Sequence, residues 1–138
     1  MKKNLSTLKF ENYIVESIEL KANLNYSGKD KEMNLDLDNS YQVEGNNFVS
    51  TLDLEIFPNA ETNDYPFNMK IRIIGLFKVD SIEDDDVKNS FIERNSITIL
   101  FPYLRAIVST YTANSNIGTT IIPPINVIQY LEDKYSKK

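Results

Sequence analysis

The sequence predicts an α+β fold: a four-stranded antiparallel sheet, strands first, backed on one face by C-terminal helices. Three observations predict it. Between residues 8 and 79, apolar and polar residues alternate in four runs separated by turn residues, the period of strands with one face in a core. After the polar stretch 80–86 the apolar spacing becomes helical. Strands first and helices second place the layers in sequence order, and an antiparallel sheet of this kind keeps one face solvated.

The first strand reads Leu8, Phe10, Ile14, Ile18 and Leu20 on its inward register. Asn12 and Glu16 interrupt that register and predict a bend or bulge near them. A turn at Tyr26-Ser27-Gly28-Lys29-Asp30 leads to the second strand, Met33, Leu35, Leu37, Tyr41 and Val43. Glu44-Gly45-Asn46 is the tight turn to the third, which points Phe48, Ser50, Leu52, Leu54 and Ile56 inward and Asp53 and Glu55 outward. It stops at Pro58, which cannot donate to a ladder. The segment 59–66 is a polar loop. The fourth strand points Phe67, Met69, Ile71, Ile73, Gly75, Phe77 and Val79 inward, so Ile74 and Leu76 are apolar residues on the outward face. A lone monomer has no use for them there, and they are candidates for an oligomer interface.

Asp84-Asp85-Asp86 reads as a charged helix start, where carboxylates suit the positive end of the dipole. Val87, Phe91 and Ile92 follow at helical spacing, and Ser96 is a candidate cap for a second helical segment. That segment carries Ile99, Leu100, Tyr103, Leu104, Ile107, Val108 and Tyr111 as one stripe. Pro102 either kinks it or occupies its first turn. Asn114 and Asn116 suit a left-handed helix end. Residues 117–124 cannot be helix. Their isoleucines lie in a segment expected to cross the surface, where they need the core or another molecule as neighbour. The last helix starts near Asn126, with Gln129 placed as in a capping box, and carries Ile128, Leu131 and Tyr135 on one face.

Composition excludes several classes of chemistry. The 138 residues fit one domain, 1–138. There is no cysteine and no histidine, which removes disulfides, thiol and Ser–His nucleophiles, and the commonest transition-metal ligands. A net charge of −5 gains nothing from phosphate counterion release and argues against nucleic acid. No phosphate-binding glycine motif is present. Asp36 with Asp38, and Asp53 with Glu55, are carboxylate pairs of the type used in glycoside hydrolysis, but on strand faces they read as a solvated surface. No enzyme, cofactor or metal is expected. The start Met1-Lys2-Lys3-Asn4-Leu5 has no apolar run behind it and no stretch is long enough to span a bilayer; the reading is cytoplasmic, without membrane insertion.

Three runs carry a family resemblance. Leu100-Phe101-Pro102-Tyr103 with Arg105 is followed, after a loop, by Pro123-Pro124-Ile125-Asn126, and Gly75-Leu76-Phe77 closes the fourth strand. In this order the chain resembles SecB, the export chaperone. The family opens one helix with a Leu-Phe-Pro-Tyr-Ala-Arg-like run and its last helix with Pro-Pro-Val-Asn-Phe. Leu100, Phe101, Pro102, Tyr103, Arg105 and Asn126 are the matching positions. Each also has a plain structural reading: Phe101-Pro102-Tyr103 as a helix packed on the sheet, Arg105 as a carbonyl-binding residue.

The resemblance implies a homotetramer built as a dimer of dimers that acts without ATP. Such a holdase binds unfolded or precursor polypeptides in hydrophobic grooves and hands them to the SecA motor for translocation. Some relatives guard an antitoxin instead. A non-chaperone assembly protein using the same fold is the other reading. Candidate groove residues are Phe77, Tyr111, Ile117, Ile121, Ile122, Pro123 and Pro124. Non-directional apolar patches suit a binder of many sequences. The family's SecA-docking face is acidic, and the position matching one of its carboxylates here is Lys70, with Arg72 two residues on. The chain ends Lys134-Tyr135-Ser136-Lys137-Lys138 where family members carry an acidic extension. Both features imply weakened SecA binding.

Overall fold

The computed structural model describes residues 8–79 and 86–136, with the backbone alone for 86–91. Four strands, β1 (Leu8–Ala22), β2 (Leu35–Glu44), β3 (Asn47–Ile56) and β4 (Phe67–Val79), form one antiparallel sheet in the order β1-β4-β3-β2. A one-turn helix, α1 (Ala60–Asn63), lies in the β3–β4 connection. Two helices follow, α2 (Asp86–Asn114) and α3 (Val127–Ser136). The predicted architecture is the observed one. Asp84, Asp85, Lys137, Lys138, the first seven residues and the Phe91 side chain lie outside the described residues.

β3 and β4 alternate without interruption. Every inward residue from Phe48 to Ile56 and from Phe67 to Val79 is buried. Burial of a Leu, Ile or Phe side chain contributes about 1.5–3 kcal/mol, so these two central strands hold the sheet to the helices. β2 and β3 pair in an unbroken register from Leu35↔Ile56 to Glu44↔Asn47. Their turn places Gly45 at φ 61°, in the left-handed region that costs glycine nothing.

β1 is bulged twice, between Phe10 and Asn12 and between Val15 and Ser17. The predicted bends fall there, and their effect corrects the inward register. Each extra residue flips the strand by one face. Tyr13 and Val15 therefore turn toward the helices, while Ile14, expected inward, is half exposed on the outer face opposite Ile74. The second bulge restores Ile18 and Leu20 to the inner side. Ile14, Ile74, Leu76 and Val49 form an apolar band across the outer face. Beyond it, Arg72 forks onto Asp53 (Nε–Oδ1 2.7 Å, Nη2–Oδ2 3.0 Å) and reaches Glu16 at 3.6 Å.

Ser96 is not a cap. α2 is one continuous helix in which Ser96 is buried, its hydroxyl donating to the Glu93 carbonyl (2.8 Å) and within 3.0 Å of the Ser50 hydroxyl on β3. A serine inside a helix can satisfy itself by back-bonding, and here it also fills a position opposite a small sheet residue. Pro102 sits within α2 rather than in its first turn. Asn116 adopts φ 60° just past the helix end, as expected. Asn126 caps α3, its Oδ1 accepting from the Gln129 backbone N–H at 3.0 Å, but the Gln129 side chain donates to Asp133 instead of completing the box.

The β1–β2 connection is tied to the β3–β4 connection. Asn23, buried, donates through Nδ2 to the Tyr65 carbonyl (2.9 Å) and accepts from the Asn25 N–H (3.0 Å). Ser27 donates both its backbone N–H and its hydroxyl to Asp64.

Candidate polypeptide-binding grooves

Aromatic rings form a row across the inner face of the sheet. Tyr41 on β2 lies 5.6 Å from Phe48, Phe48 lies 6.2 Å from Phe77, and Phe77 lies 5.3 Å from Phe10. Phe10 then meets Tyr103 of α2 at 5.5 Å, and Tyr103 meets Tyr13 at 4.7 Å. The row is buried at Phe48 and Phe77 in its middle and surfaces toward both ends. It surfaces on the β1 side because the first bulge turns Tyr13 inward beside the helix.

There an open groove of about 630 Å³ runs between β1 and α2, walled by Tyr13, Val15, Ile18, Tyr103, Ile107 and Tyr111. Tyr103 and Tyr111 are 38% and 45% exposed, large apolar surfaces for a chain of this size. β1 is an edge strand, so unpaired backbone borders this groove. A second groove, about 650 Å³ and mostly apolar, lies on the opposite side. It is walled by Met33, Leu35, Tyr65, Pro123, Ile125 and Tyr130.

The expected groove residues separate. Tyr111 lines the first groove and Pro123 the second. Pro124 and Ile121 are exposed, Ile121 at 67%, without lining either. Ile117 is half-buried against the core. Phe77 and Ile122 are corrections: at 2% and 1% exposure both belong to the core and offer a client nothing. Phe77 is covered because α2 lies directly over the Gly75-Leu76-Phe77 end of β4. Ile122 is drawn in because the loop is pinned from the helix side. Arg105 Nε donates to its carbonyl at 2.9 Å, the Ser109 hydroxyl donates to the Thr120 carbonyl at 3.2 Å, and Thr112 Oγ1 accepts from the Thr120 N–H at 2.8 Å. One stripe of α2 thus satisfies loop backbone that has no ladder of its own.

Of the motif positions, Leu100 and Phe101 are buried, Tyr103 is in the first groove, and Asn126 borders the second. Ile74 and Leu76 are half-buried on the outer face, away from both grooves. Sequence reading missed Tyr13, Val15, Tyr65 and Tyr130. The signal for Tyr13 was present in the Asn12 interruption; Tyr65 and Tyr130 gave none, since only the chain's return path brings them together.

α3 closes part of the β2 edge. The Tyr130 hydroxyl accepts from the Leu37 N–H at 3.2 Å, and Lys134 Nζ donates to the Leu37 carbonyl and to Asp36 Oδ1, both at 2.9 Å. Desolvation pulls the Lys134 ammonium down, but the Asp36 hydrogen bond and the Asp36 and Asp38 charges outweigh it and leave its pKa raised. Among the described residues no group of acids forms a metal cluster, and no helix is long and apolar enough to cross a membrane.

Comparison with known proteins agrees with this architecture. The family profile described as preprotein translocase subunit SecB matches residues 10–138. An uncharacterized protein of Methanocaldococcus jannaschii, MJ0357, is 37% identical over 125 residues, covering 87% of this chain and 79% of that protein. The fold matches a Mycobacterium tuberculosis SecB-like chaperone solved in complex with a ChAD peptide from the HigA1 antitoxin. The TM-score is 0.68 at 10% identity, over 86% of this chain and 88% of the other. It also matches a Streptococcus agalactiae protein of unknown function, at TM-score 0.54 and 12% identity, over 87% and 98%.

Proposed function

The chain belongs to the SecB family and has the fold of a SecB-like chaperone, and from that premise we propose that it is an ATP-independent holdase for unfolded polypeptides. The observation that carries this reading is the first groove. Exposed Tyr103 and Tyr111 face Tyr13, Val15 and Ile18 across an open groove that also holds Glu16, Ser17 and Thr110, beside the unpaired edge of β1. Apolar walls give affinity in proportion to buried area, and an edge strand offers backbone hydrogen bonds to any extended segment. Neither requires a particular client sequence, and neither requires chemistry; the protein is not an enzyme in this reading. It works in the cytoplasm as a homo-oligomer, with translocation precursors as one class of client.

A second reading is favoured by one observation. The M. tuberculosis chaperone of this fold was solved with an antitoxin peptide, so an antitoxin is the other candidate client. The outer face also bears on the choice. Lys70 and Arg72 place cations among Glu55, Asp53 and Glu16 there, which lowers the complementarity of that face to a basic SecA surface.

The test is aggregation of a chemically denatured, unrelated protein, followed by light scattering with and without ATP. Sub-stoichiometric chaperone slows it equally in both, and Tyr103→Ser with Tyr111→Ser removes most of the protection. No protection by the wild-type chain overturns the holdase reading.

A further inference from the structure

Among the described residues, one half-buried carboxylate under the β2 edge, Glu93 of α2, has no hydrogen bond or ion pair. It lines a crevice of about 310 Å³ beneath the β2 edge, with Tyr41 and Asn39 of β2, Ile97 of α2, and Leu131 and Tyr135 of α3. Among the described residues the other charges lining the crevice are Arg94 and Glu132, which pair with each other, and Lys134 stands 5.7 Å from the Tyr135 ring centroid while bonded to Asp36. The described lining residues, two carboxylates and one guanidinium, carry a net charge of −1. Burial holds the Glu93 carboxyl above its ordinary range, and burial followed by the Glu93 charge does the same to the Tyr41 hydroxyl.

The β2 edge above this crevice is open. Leu37 directs its N–H and carbonyl outward, where Tyr130 and Lys134 take them. The β2–β3 register is unbroken to Glu44, so Asn39, Tyr41 and Val43 present their backbones on the same side. The Asn39 N–H is taken by the Asp38 carboxylate at 2.9 Å. Among the described residues no side chain takes those of Tyr41 and Val43 as α3 takes those of Leu37.

We propose that the crevice is a subsite for a lysine or arginine side chain of an extended polypeptide segment aligned along the β2 edge from Tyr41 to Val43. Alternate side chains of an added strand point to the inner face, and one of them falls into the crevice. Its methylene stem packs on Ile97 and Leu131, its cation meets the Tyr41 ring, and its charge pairs with Glu93. An acidic side chain meets repulsion and a neutral one leaves Glu93 unpaired. The inference rests on the polypeptide-binding reading and adds a specificity-determining residue to it.

The experiment uses the full chain and two fluorescent decapeptides of Thr, Val and Ser with one central residue, Lys or norleucine. Anisotropy titrations are run on the wild type, on Glu93→Gln and on Asp38→Asn, a control for general acidity on the outer face. Wild type and Asp38→Asn bind the Lys peptide about tenfold more tightly than the norleucine peptide, and Glu93→Gln reduces the ratio to about one. Equal binding of both peptides by the wild type, or a preference that survives in Glu93→Gln, overturns the subsite and leaves the holdase reading standing. No binding of either peptide, together with no suppression of aggregation, overturns both. Glu93→Gln is nearly isosteric at a half-exposed helix position, so an unchanged circular dichroism spectrum accompanies each result.

Discussion

A methyl group at Gly75 would lie 2.7 Å from Cδ2 of Leu100, closer than real Cβ contacts come. The two residues belong to separate sequence runs, Gly75-Leu76-Phe77 on β4 and Leu100-Phe101-Pro102-Tyr103 on α2, and they meet where the helix approaches the sheet. Gly75→Ala is expected to destabilise the chain by about 1–3 kcal/mol through overpacking. Leu100→Ala in the same chain removes the Leu100 part of the clash and leaves Phe77 Cε1 at 2.8 Å, so the double mutant loses less than the sum of the singles. Urea unfolding of all four proteins measures this, and strict additivity would show that the contact does not decide the packing.

Neighbouring isoleucines in the α2–α3 loop should behave differently. Ile122 is buried and Ile121 is 67% exposed. Ile122→Asp places an unpaired charge in the core and is expected to cost more than about 3 kcal/mol. Ile121→Asp should change stability by no more than about 0.5 kcal/mol. Thermal melts of the two single mutants check this, and only Ile121→Asp is clean enough to report on client binding.

Glu93 also has a pH signature. Its folded pKa is raised by desolvation, so the folded chain holds a proton over a window just above the unfolded value. Stability therefore falls as pH rises through that window, and the penalty persists at neutral pH. Glu93→Gln should raise the melting temperature at about pH 7 and bring little gain at about pH 3.5, below the ordinary Glu range. A gain that is the same at both would mean that charge burial is not its origin.

Self-association is expected from the outer face. Ile14, Val49, Ile74 and Leu76 form a band that a monomer leaves in water. Light scattering coupled to gel filtration should give about four times the 15.9 kDa chain, or twice if the pairs associate weakly. Ile74→Lys with Leu76→Lys should lower that mass; a wild-type monomer at micromolar concentration would remove the interface.

The sequence by itself determined the element order, the inward faces of β3 and β4, the turn at Gly45, the cap at Asn126 and the outward placement of Ile74 and Leu76. These follow from local geometry: a period of two or 3.6, and side chains bonding within four residues. The family resemblance was legible too, because Leu100-Phe101-Pro102-Tyr103 and Pro123-Pro124-Ile125-Asn126 are contiguous. Tertiary structure alone decided the rest. Two bulges in β1 turned Ile14 out and Tyr13 into a groove, since the register of an edge strand is set by its partner. Ser50 on β3 let Ser96 pass through the middle of a helix. Arg105, Ser109 and Thr112 held a loop that periodicity could only describe as irregular, and so buried Ile122 while leaving Ile121 in water. Which apolar residues face a client was undetermined in the sequence for a physical reason: exposure depends on what packs above a residue, and for Phe77 that cover comes from α2, far along the chain, while Tyr111 is left exposed.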